Sequence, residues 1–315
     1  MQVDDVLCQF DGVDAVACDL HPDLHATRLA EQLSSRLNIP LIRVQHHHAH
    51  IASVMAEHGV DEPVVGLAMD GYGYGEDGSA WGGECLYVDI DGCTRIGCIK
   101  PVAMPGGDAA SRQPWRMAVA WLDDLMLCER LFPGCPVKAI HQLCHSESTP
   151  VTSSAGRLFD AVSAILLGIE KGLFEGEAAI ALERAARGVT ASPHLTYNID
   201  AVDGIYQLDC KETLIRLAAA VEMGESRVEL AAGFHCMLAS GMAEIAIRVA
   251  RQHGFGRVAL SGGCFHNLIL KKEVTSQLED AGVQVLASQL VPQGDGAIAL
   301  GQAWVAAMRL QQGDS

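Results

Sequence analysis

The sequence lacks any pair of cysteines in a C-x-x-C arrangement, although its 315 residues include 11 cysteines. A zinc ribbon and a thioredoxin-type redox motif both depend on such pairs, so both are excluded. Cysteines scattered in this way are typical of reduced and mostly buried thiols. They therefore indicate a protein of the cytoplasm.

Basic residues are also scarce, with 22 lysines and arginines against 39 aspartates and glutamates and a formal net charge of -17. This balance repels nucleic acid and anionic membrane surfaces, and Lys271-Lys272 is the only adjacent basic pair. The first residues are acidic and do not resemble a secretory signal, and we find no apolar run that approaches the roughly 20 residues of a membrane span. We therefore expect a soluble, cytoplasmic protein whose partners include neither nucleic acid nor a membrane.

Strand and helix patterns alternate along most of the chain. A strand pattern over 41–44 leads into a histidine-rich helix, and the apolar run PVVGLAM leads into a glycine-dense loop. The next segment alternates in polarity around Asp91-Gly92, which predicts a hairpin. Helices are predicted over 111–131, over 155–187 with an interruption at GLFEGE, and over 228–252. This rhythm predicts an α/β fold with parallel strand pairing.

Four of the chain's 13 histidines stand within five positions, in the stretch VQHHHAHIAS. On a helix, His46 and His50 are one turn apart and point the same way, which suits two imidazoles on one metal ion. A metalloprotease would need H-E-x-x-H, and His47 stands where that glutamate would be, so this activity is excluded. Asp70 follows a buried strand and could bring a carboxylate to the same centre, a mixed ligand set that suits iron, zinc or manganese.

The same histidine spacing occurs twice more, as His21/His25 and His141/His145. Pro22 at a helix start makes His21 part of a capping turn. The second pair lies in a polar stretch with no glycine loop beside it. A structural role is therefore favoured for both pairs.

Two glycine-dense turns follow predicted strands. The first, DGYGYGEDGSAWGGE, has six glycines in fifteen residues, and the second contains Gly262-Gly263 before a predicted helix. Glycines let backbone N–H groups approach an anion, so both turns are candidates for a phosphate or nucleotide. A plain hairpin lead-in for the first turn and close packing of helix and strand for the second are the alternatives. Neither turn is a Walker A motif or a full dinucleotide fingerprint.

Several carboxylates stand in unusual surroundings. Asp160 lies inside an apolar helix, where a carboxylate is costly unless it is paired or bonded to a ligand hydroxyl. Asp295 stands between two glycines at a helix start, where it could cap the last helix or face a cleft. Glu175 and Glu177 flank Gly176, and for them the role of solvated helix residues is favoured.

Several stretches of the sequence together resemble a known family: HHHAHIAS, MDGYGYGEDGSAWGGE, RQPWRMA, TSSAGRLFDAV, FEGEAA, SGGCFHN and VPQGDGAIALGQA. They resemble the C-terminal, Kae1-like part of the HypF hydrogenase maturation carbamoyltransferases, from about Ala15 to Ala306. The resemblance implies an α/β fold of the ASKHA (actin/hexokinase/Hsp70-like) type, in which two RNase H-like lobes hold nucleotide and metal between them. The first lobe is expected to lack its N-terminal segment, because the family's opening hairpin has no counterpart here.

The resemblance also implies a division of the chain. Residues 1–62 are expected to be the remainder of the first lobe with the metal-binding histidines. Residues 63–150 are expected to hold the strand, glycine loop, hairpin and helix of the Kae1-like domain. Residues 151–315 are expected to form a helical and α/β part with the nucleotide-binding turns.

Site residues follow from the same resemblance. The implied metal ligands, which are also the implied catalytic residues, are His46, His50, Asp70 and Asp295. The implied nucleotide site comprises Gly71, Asp160 (at the ribose), Gly176, Gly262, Gly263 and Asn267. The expected metal is divalent (iron, zinc, magnesium or manganese), and the expected nucleotide is ATP, AMP or carbamoyl-adenylate. His47 and His48 are expected to orient the ligands or to line the cleft.

The family's chemistry gives the expected function. Carbamoyl-adenylate forms in a separate YrdC-like domain, and the Kae1-like domain passes the carbamoyl group to the C-terminal cysteine of HypE for the cyanide ligands of nickel-iron hydrogenase. The resemblance implies the same role here, with a HypE-like acceptor and a YrdC-like domain or missing upstream HypF segment as partners. The acceptor thiolate comes from the partner, so the absence of a Ser-His-Asp or Cys-His motif fits. The alternatives are a non-catalytic nucleotide- or partner-binding protein, an O-carbamoyltransferase and a tRNA threonylcarbamoyladenosine-type transferase.

Overall fold

The computed structural model describes residues 7–8, 12–89, 92–189 and 195–313, apart from the side chain of residue 312. The strands in these ranges are β1 (Val16–Asp19), β2 (Leu41–Val44), β3 (Val64–Tyr74), β4 (Ala80–Val88), β5 (Cys93–Ile99), β6 (Val102–Ala103), β7 (Val151–Thr152), β8 (Asn198–Val202), β9 (Ile205–Asp209), β10 (Arg257–Ser261) and β11 (Gln284–Ala287). The helices are α1 (His25–Leu37), α2 (His46–His58), α3 (Asp108–Arg112), α4 (Pro114–Leu122), α5 (Leu125–Leu131), α6 (Val137–Cys144), α7 (Ala155–Leu167), α8 (Glu177–Ala186), α9 (Lys211–Glu222), α10 (Arg227–His253), α11 (Leu268–Asp280) and α12 (Ile298–Gln312). Two short 3-10 helices cover Gly263–His266 and Asp295–Ala297.

The larger sheet of the described residues has the order β11-β10-β3-β4-β5-β9-β8. β3, β4 and β5 are antiparallel neighbours, whereas β10 pairs in parallel with β3 and β11 pairs in parallel with β10. Residues 64–70 of β3 are all buried, as is typical of a central strand covered on both faces. β3, β4 and β5 are thus three antiparallel strands, and β10 and β11 extend the sheet in parallel beside β3. This is the strand order expected of an RNase H-like lobe.

A second, smaller unit contains β1 and β2, which pair in parallel with Ala17 opposite Ile42. α12 packs across α2 and β1, and Ala49 and Val305 share the small core between them. The two helices approach closely because residue 301 is glycine, and a Cβ on Gly301 would lie 1.9 Å from the Ala49 carbonyl oxygen. Segments that are distant in sequence therefore build this unit together.

The carboxyl ends of β3 and β10 lie at the same edge of the larger sheet. The two strands run in parallel, with Ser261 opposite Ala68. Gly262 follows with a φ of +104°, and a Cβ there would lie 2.3 Å from the Met69 carbonyl oxygen. Only glycine permits this turn so close to β3. The glycine turn predicted after β10 therefore brings the two strand ends into contact.

The long helix predicted over 228–252 is confirmed as α10, within one residue at each end. By length and composition alone this helix could cross a membrane, which was not predicted from the sequence. However, 78% of its most apolar window is buried inside the protein. α10 therefore packs as a core helix.

Three other predictions concern the middle of the chain. β4 and β5 form the predicted hairpin pair, although Asp91 lies outside the described residues. The single helix predicted over 111–131 is wrong, because this stretch forms α3, α4 and α5. Pro114 starts α4, Asp123 ends it in the left-handed conformation with a φ of 47°, and Asp124 caps α5. The interruption predicted within 155–187 is confirmed between α7 and α8.

Candidate functional site

Four potential metal ligands converge at the shared edge of β3 and β10. His46 and His50 lie one turn apart in α2, Asp70 lies in β3, and Asp295 begins the 3-10 helix before α12. α2 begins where it does because the Gln45 side chain accepts a hydrogen bond from a backbone N–H of the first turn. One donor atom from each of the four ligands lies within 4.8 Å of the others. The four metal ligands implied by the resemblance are therefore brought together.

The distances between these donor atoms fit a shared cation. The Nε2 atoms of His50 and His46 lie 3.1 and 3.4 Å from Asp70 Oδ2. They lie 3.6 and 3.7 Å from Asp295 Oδ1. Two ligands that bind zinc tetrahedrally at about 2.0–2.1 Å are about 3.3 Å apart. The Asp295 side chain is 76% exposed whereas the other three are largely buried, so the group is accessible from one side.

The outer contacts of the group leave ligating atoms available. His46 Nδ1 lies 3.0 Å from Asp19 Oδ2, and we assign the ring proton to Nδ1 on this ground. His46 Nε2 is buried and has no hydrogen-bond partner. Asp70 Oδ1 accepts a hydrogen bond from the Gly263 N–H at 3.0 Å, which leaves Oδ2 toward the imidazoles. A buried nitrogen without a partner, next to two carboxylates, fits a bound metal ion.

The charges of the group are strongly coupled. Burial alone would lower the pKa of His46, but the carboxylates of Asp19, Asp295 and Asp70 raise it to about 11. Burial would raise the pKa of Asp70, but the imidazoles of His46 and His50 hold it well below its usual range. The buried carboxylates are therefore stabilised by positive charge beside them. Either protons on the imidazoles or a divalent ion can supply that charge.

Sequence reasoning missed Asp19, which orients His46. Asp19 ends β1, β1 pairs in parallel with β2, and β2 leads directly into α2. Carboxylates commonly hold the outer nitrogen of a metal-binding histidine and fix its ring orientation. The available signal was a short apolar run that ends in aspartate beside another predicted parallel strand.

The other two histidines of the cluster have separate surroundings. His47 Nδ1 lies 3.1 Å from Gln45 Nε2, and His48 Nε2 lies 3.2 Å from the Asp89 carbonyl oxygen. Burial lowers the pKa of His48 to about 4 and also lowers the pKa of His47 well below its usual range. Both rings are therefore neutral neighbours, and neither belongs to the convergent group.

A cavity of about 440 Å³ opens beside the four potential ligands. Five of the six predicted nucleotide-site residues line it, namely Gly71, Asp160, Gly176, Gly263 and Asn267. Asp70 also lines the cavity, so the ligand group and the predicted nucleotide residues face one space. The sixth, Gly262, is not among the lining residues and instead packs against the backbone of β3.

Asp160 lies buried in α7 at the wall of the cavity. Arg157 Nη2 lies 3.0 Å from Asp160 Oδ2, but both this oxygen and Arg157 Nε lack a hydrogen-bond partner. Burial raises the pKa of Asp160 to about 7, although Arg157 acts to lower it. Buried polar atoms without partners at a cavity wall suit the hydroxyl or phosphate groups of a ligand. Sequence reasoning missed Arg157, although it stands one helical turn before Asp160.

Asn267 has both ends of its side chain engaged. Its Oδ1 accepts hydrogen bonds from the Ile269 and Leu270 N–H groups at 3.1 and 3.0 Å and so caps α11. Its Nδ2 lies 2.8 Å from His235 Nε2, and His235 Nδ1 lies 2.7 Å from the Ala231 carbonyl oxygen. This arrangement requires Nδ1 to donate and Nε2 to accept. Asn267 therefore fixes the cavity wall, and His235 is a supporting residue that sequence reasoning missed.

The two glutamates beside Gly176 differ in position. Glu175 lines the cavity, whereas Glu177 Oε2 accepts a hydrogen bond from the Leu173 N–H at 2.5 Å. Gly176 has a φ of +76°, which permits the turn before α8. Glu177 therefore has a local structural role in this loop.

The two other histidine pairs also differ from each other. His21 Nδ1 accepts a hydrogen bond from the Asp23 N–H at 3.1 Å, as expected of a capping turn. His141 and His145 instead meet Asp123 in a second convergent group of potential ligands. No local pattern in the sequence predicts this carboxylate beside the two histidines.

Two family models match the chain. The first, described as the HypF Kae1-like domain, matches residues 5–57. The second, described as the second subdomain of the Kae1-like carbamoyltransferase domain, matches residues 66–302. The chain is 42% identical to the carbamoyltransferase HypF homolog of Cupriavidus necator, over 94% of this chain and 78% of that protein. It is 39% identical to carbamoyltransferase HypF2 of the same organism, over 93% of this chain but 40% of that protein.

Two solved structures share the fold. Full-length HypF in its phosphate- and nucleotide-bound form matches with a TM-score of 0.89 at 34% identity, covering 96% of this chain and 48% of that one. HypF of T. kodakarensis matches with a TM-score of 0.85 at 33% identity, covering 95% and 41% of the two chains. The predicted α/β fold is confirmed, and the chain shares it with both HypF structures. The chain belongs to the HypF carbamoyltransferase family, within which it corresponds to the Kae1-like domain.

Proposed function

We propose that this chain transfers a carbamoyl group from carbamoyl-adenylate to the C-terminal cysteine of a HypE-like protein in the cytoplasm. The observation that carries the proposal is the position of Asp70 between two sites. Its Oδ2 lies 3.1 Å from His50 Nε2, and its Oδ1 accepts from the N–H of Gly263, which lines the cavity. A metal ion and a nucleotide phosphate would therefore be held on either side of one carboxylate.

The ligand group would hold the metal through His46, His50, Asp70 and Asp295. Asp19 would keep the proton of His46 on the outer nitrogen, so that the inner nitrogen can bind. A divalent ion bound there would act as a Lewis acid toward the carbamoyl carbonyl or phosphate oxygens.

The polar groups of the cavity suit an adenylate. Its volume of about 440 Å³ falls within the roughly 300–1,000 Å³ of small-molecule sites. Asp160 Oδ2 would accept a hydrogen bond from a ribose hydroxyl, and Arg157 Nε would donate to a phosphate oxygen, because neither atom has a hydrogen-bond partner in the protein. Gly71 and Gly263 would let the phosphate approach their backbones without obstruction by a Cβ. Nucleotide binding by the solved HypF relative supports this assignment.

The nucleophile would come from the partner. Its thiolate sulfur would attack the carbamoyl carbon and form a C–S bond, while the bond from that carbon to the phosphate oxygen breaks and AMP leaves. Cys264 lines the cavity, but burial raises the pKa of its thiol, so it stays protonated and does not compete. Arg157 would stabilise the charge that develops on the leaving phosphate.

The test combines this chain with a HypE-like protein and carbamoyl-adenylate, made chemically or by a YrdC-like domain. We expect the mass of the HypE-like protein to rise by one carbamoyl group, and not to rise when its C-terminal cysteine is replaced by serine. His50→Ala should reduce transfer by at least about 100-fold, because loss of a ligand exceeds the roughly 10–100-fold cost of losing an outer partner.

Two results would contradict the proposal. Nucleotide binding without a mass gain would favour the non-catalytic alternative. Binding of tRNA at low salt would favour the threonylcarbamoyladenosine alternative, which the net charge of -17 disfavours.

A further inference from the structure

We infer that Asp123, His141 and His145 form a second metal site, which binds zinc or a similar transition-metal ion. His141 and His145 lie one turn apart at the end of α6, and Asp123 ends α4. One donor atom from each lies within 4.8 Å of the others. None of the three belongs to the group at the β3 edge or lines its cavity, so the inference does not depend on the proposed function.

The distances match those of ligands that share an ion. Asp123 Oδ1 lies 3.4 Å from His141 Nε2 and 3.0 Å from His145 Nε2. The expected separation for tetrahedral zinc ligands at about 2.0–2.1 Å is about 3.3 Å. The two imidazole centroids are 4.8 Å apart and the rings are inclined by 63°, so both Nε2 atoms reach the same oxygen.

The backbone and a neighbouring cation fix the Asp123 carboxylate. Asp123 has a φ of 47°, and its N–H donates to the Val119 carbonyl oxygen at 3.0 Å. Lys211 Nζ lies 3.4 Å from Oδ2, which leaves Oδ1 toward the imidazoles. Ligating carboxylates are commonly held by such an outer hydrogen bond. The positive charge of Lys211 also opposes a cation, so this site should bind more weakly than the group at the β3 edge.

The ligand types select the metal and leave room for a further ligand. Two imidazoles and one carboxylate suit zinc, copper or nickel, whereas calcium and magnesium prefer oxygen ligands. The side chains of Asp123 and His145 are 37% and 57% exposed, so the ion can enter from solvent. Three protein ligands leave a fourth position open to water or to a small ligand.

Zinc titration of the full chain, followed by calorimetry, tests the inference. We expect two equivalents in the unchanged protein. Asp123→Asn should weaken the second equivalent by at least about 10-fold and leave the tighter one, and asparagine tolerates the positive φ at this position. His141→Gln should act in the same way. His25→Ala, at an exposed histidine of another H-x-x-x-H pair, should keep both equivalents, and His46→Ala should lose the tighter one.

Cobalt(II) spectra give a second reading that needs no variant. The second equivalent should show the visible absorption of a low-symmetry site with nitrogen ligands. A single equivalent that His46→Ala abolishes, a second equivalent with the spectrum of the hydrated ion, or one that persists in both Asp123→Asn and His141→Gln would overturn the inference.

Discussion

The two oxygens of Asp70 face different partners, and this division lets one residue serve both the ligand group and the cavity. Oδ1 accepts from the Gly263 N–H, and Oδ2 faces the imidazoles of His46 and His50. A similar division holds for His46, whose outer nitrogen meets Asp19 while its inner nitrogen lacks a partner. For each of these residues, the atom that already has a hydrogen-bond partner holds the side chain in place, and the other atom is available to bind a metal ion.

Metal retention tests these assignments residue by residue. We expect His46→Ala and Asp295→Ala each to abolish retention of the tighter metal, because each removes a donor atom from the group. Asp19→Asn should weaken binding by roughly 10–100-fold, the usual cost of losing an outer partner. His141→Ala should retain this metal, since it lies outside the group. Metal analysis after dialysis against a weak chelator measures all four, and equal retention would rule out the ligand assignment.

Asp160 should make stability depend on pH. Its pKa is about 7 in the folded protein against an ordinary value of 3.8, so the folded state binds the proton more tightly than the unfolded state. The free energy of unfolding should therefore fall as pH rises from about 4 to about 7. Asp160→Asn lacks this titrating group. From pH 5 to pH 8, the free energy of unfolding of the unchanged protein should therefore fall by roughly 2–3 kcal/mol relative to that of the variant.

Denaturant unfolding of both proteins at pH 5 and pH 8 measures this difference. Subtracting the change seen in the variant from the change seen in the unchanged protein cancels the titration of the other groups. Glu175→Gln is a matched control, because this carboxylate lines the same cavity but raises the pKa of Asp160 less than burial does. A pH dependence that is the same in Asp160→Asn and the unchanged protein would show that the carboxyl group titrates normally.

Among the elements, the sequence predicted those whose pattern is local. The apolar run of β3 and the long stripe of α10 are continuous in sequence, and α10 formed as expected. β3 also formed, but it continues to Tyr74 through residues that were predicted to belong to the glycine-dense loop. The break at Asp123 was not predicted, because the left-handed residue that ends α4 is an aspartate rather than the glycine that usually marks a helix end.

The support around the site was less predictable than the site itself. The H-x-x-x-H spacing and the glycine turns identify ligands and cavity residues from short stretches. Asp19 reaches His46 only because β1 and β2 pair, and His235 reaches Asn267 only because α10 crosses the start of α11. Such contacts join residues that are 27 and 32 positions apart, so no local pattern records them.

In the molecule as a whole, the ligand group joins residues from nearly the full length of the described chain. Asp295 precedes α12, and α12 packs back onto α2, which carries His46 and His50. We therefore expect the contact between the two helices to set the position of the exposed fourth ligand. Gly301 lies at this contact, because a Cβ there would lie 1.9 Å from the Ala49 carbonyl oxygen.

Gly301→Ala should disturb both stability and metal binding. The new Cβ would lie 1.9 Å from the Ala49 carbonyl oxygen, so α12 must move away from α2. Overpacking of this kind costs roughly 1–3 kcal/mol, and here it should outweigh the gain of about 1 kcal/mol in helix propensity. Because Asp295 precedes α12, metal affinity should fall as well.

Gly256→Ala is the matched control for this prediction. Gly256 has no positive φ, and a Cβ there would meet nothing within 4 Å, so its unfolding free energy should change by less than about 1 kcal/mol. Denaturant unfolding and metal titration of both variants measure the effects. If Gly301→Ala unfolds and binds metal like Gly256→Ala, the packing of α12 on α2 does not position Asp295. If Gly301→Ala loses both properties together, the last helix holds the fourth ligand in place.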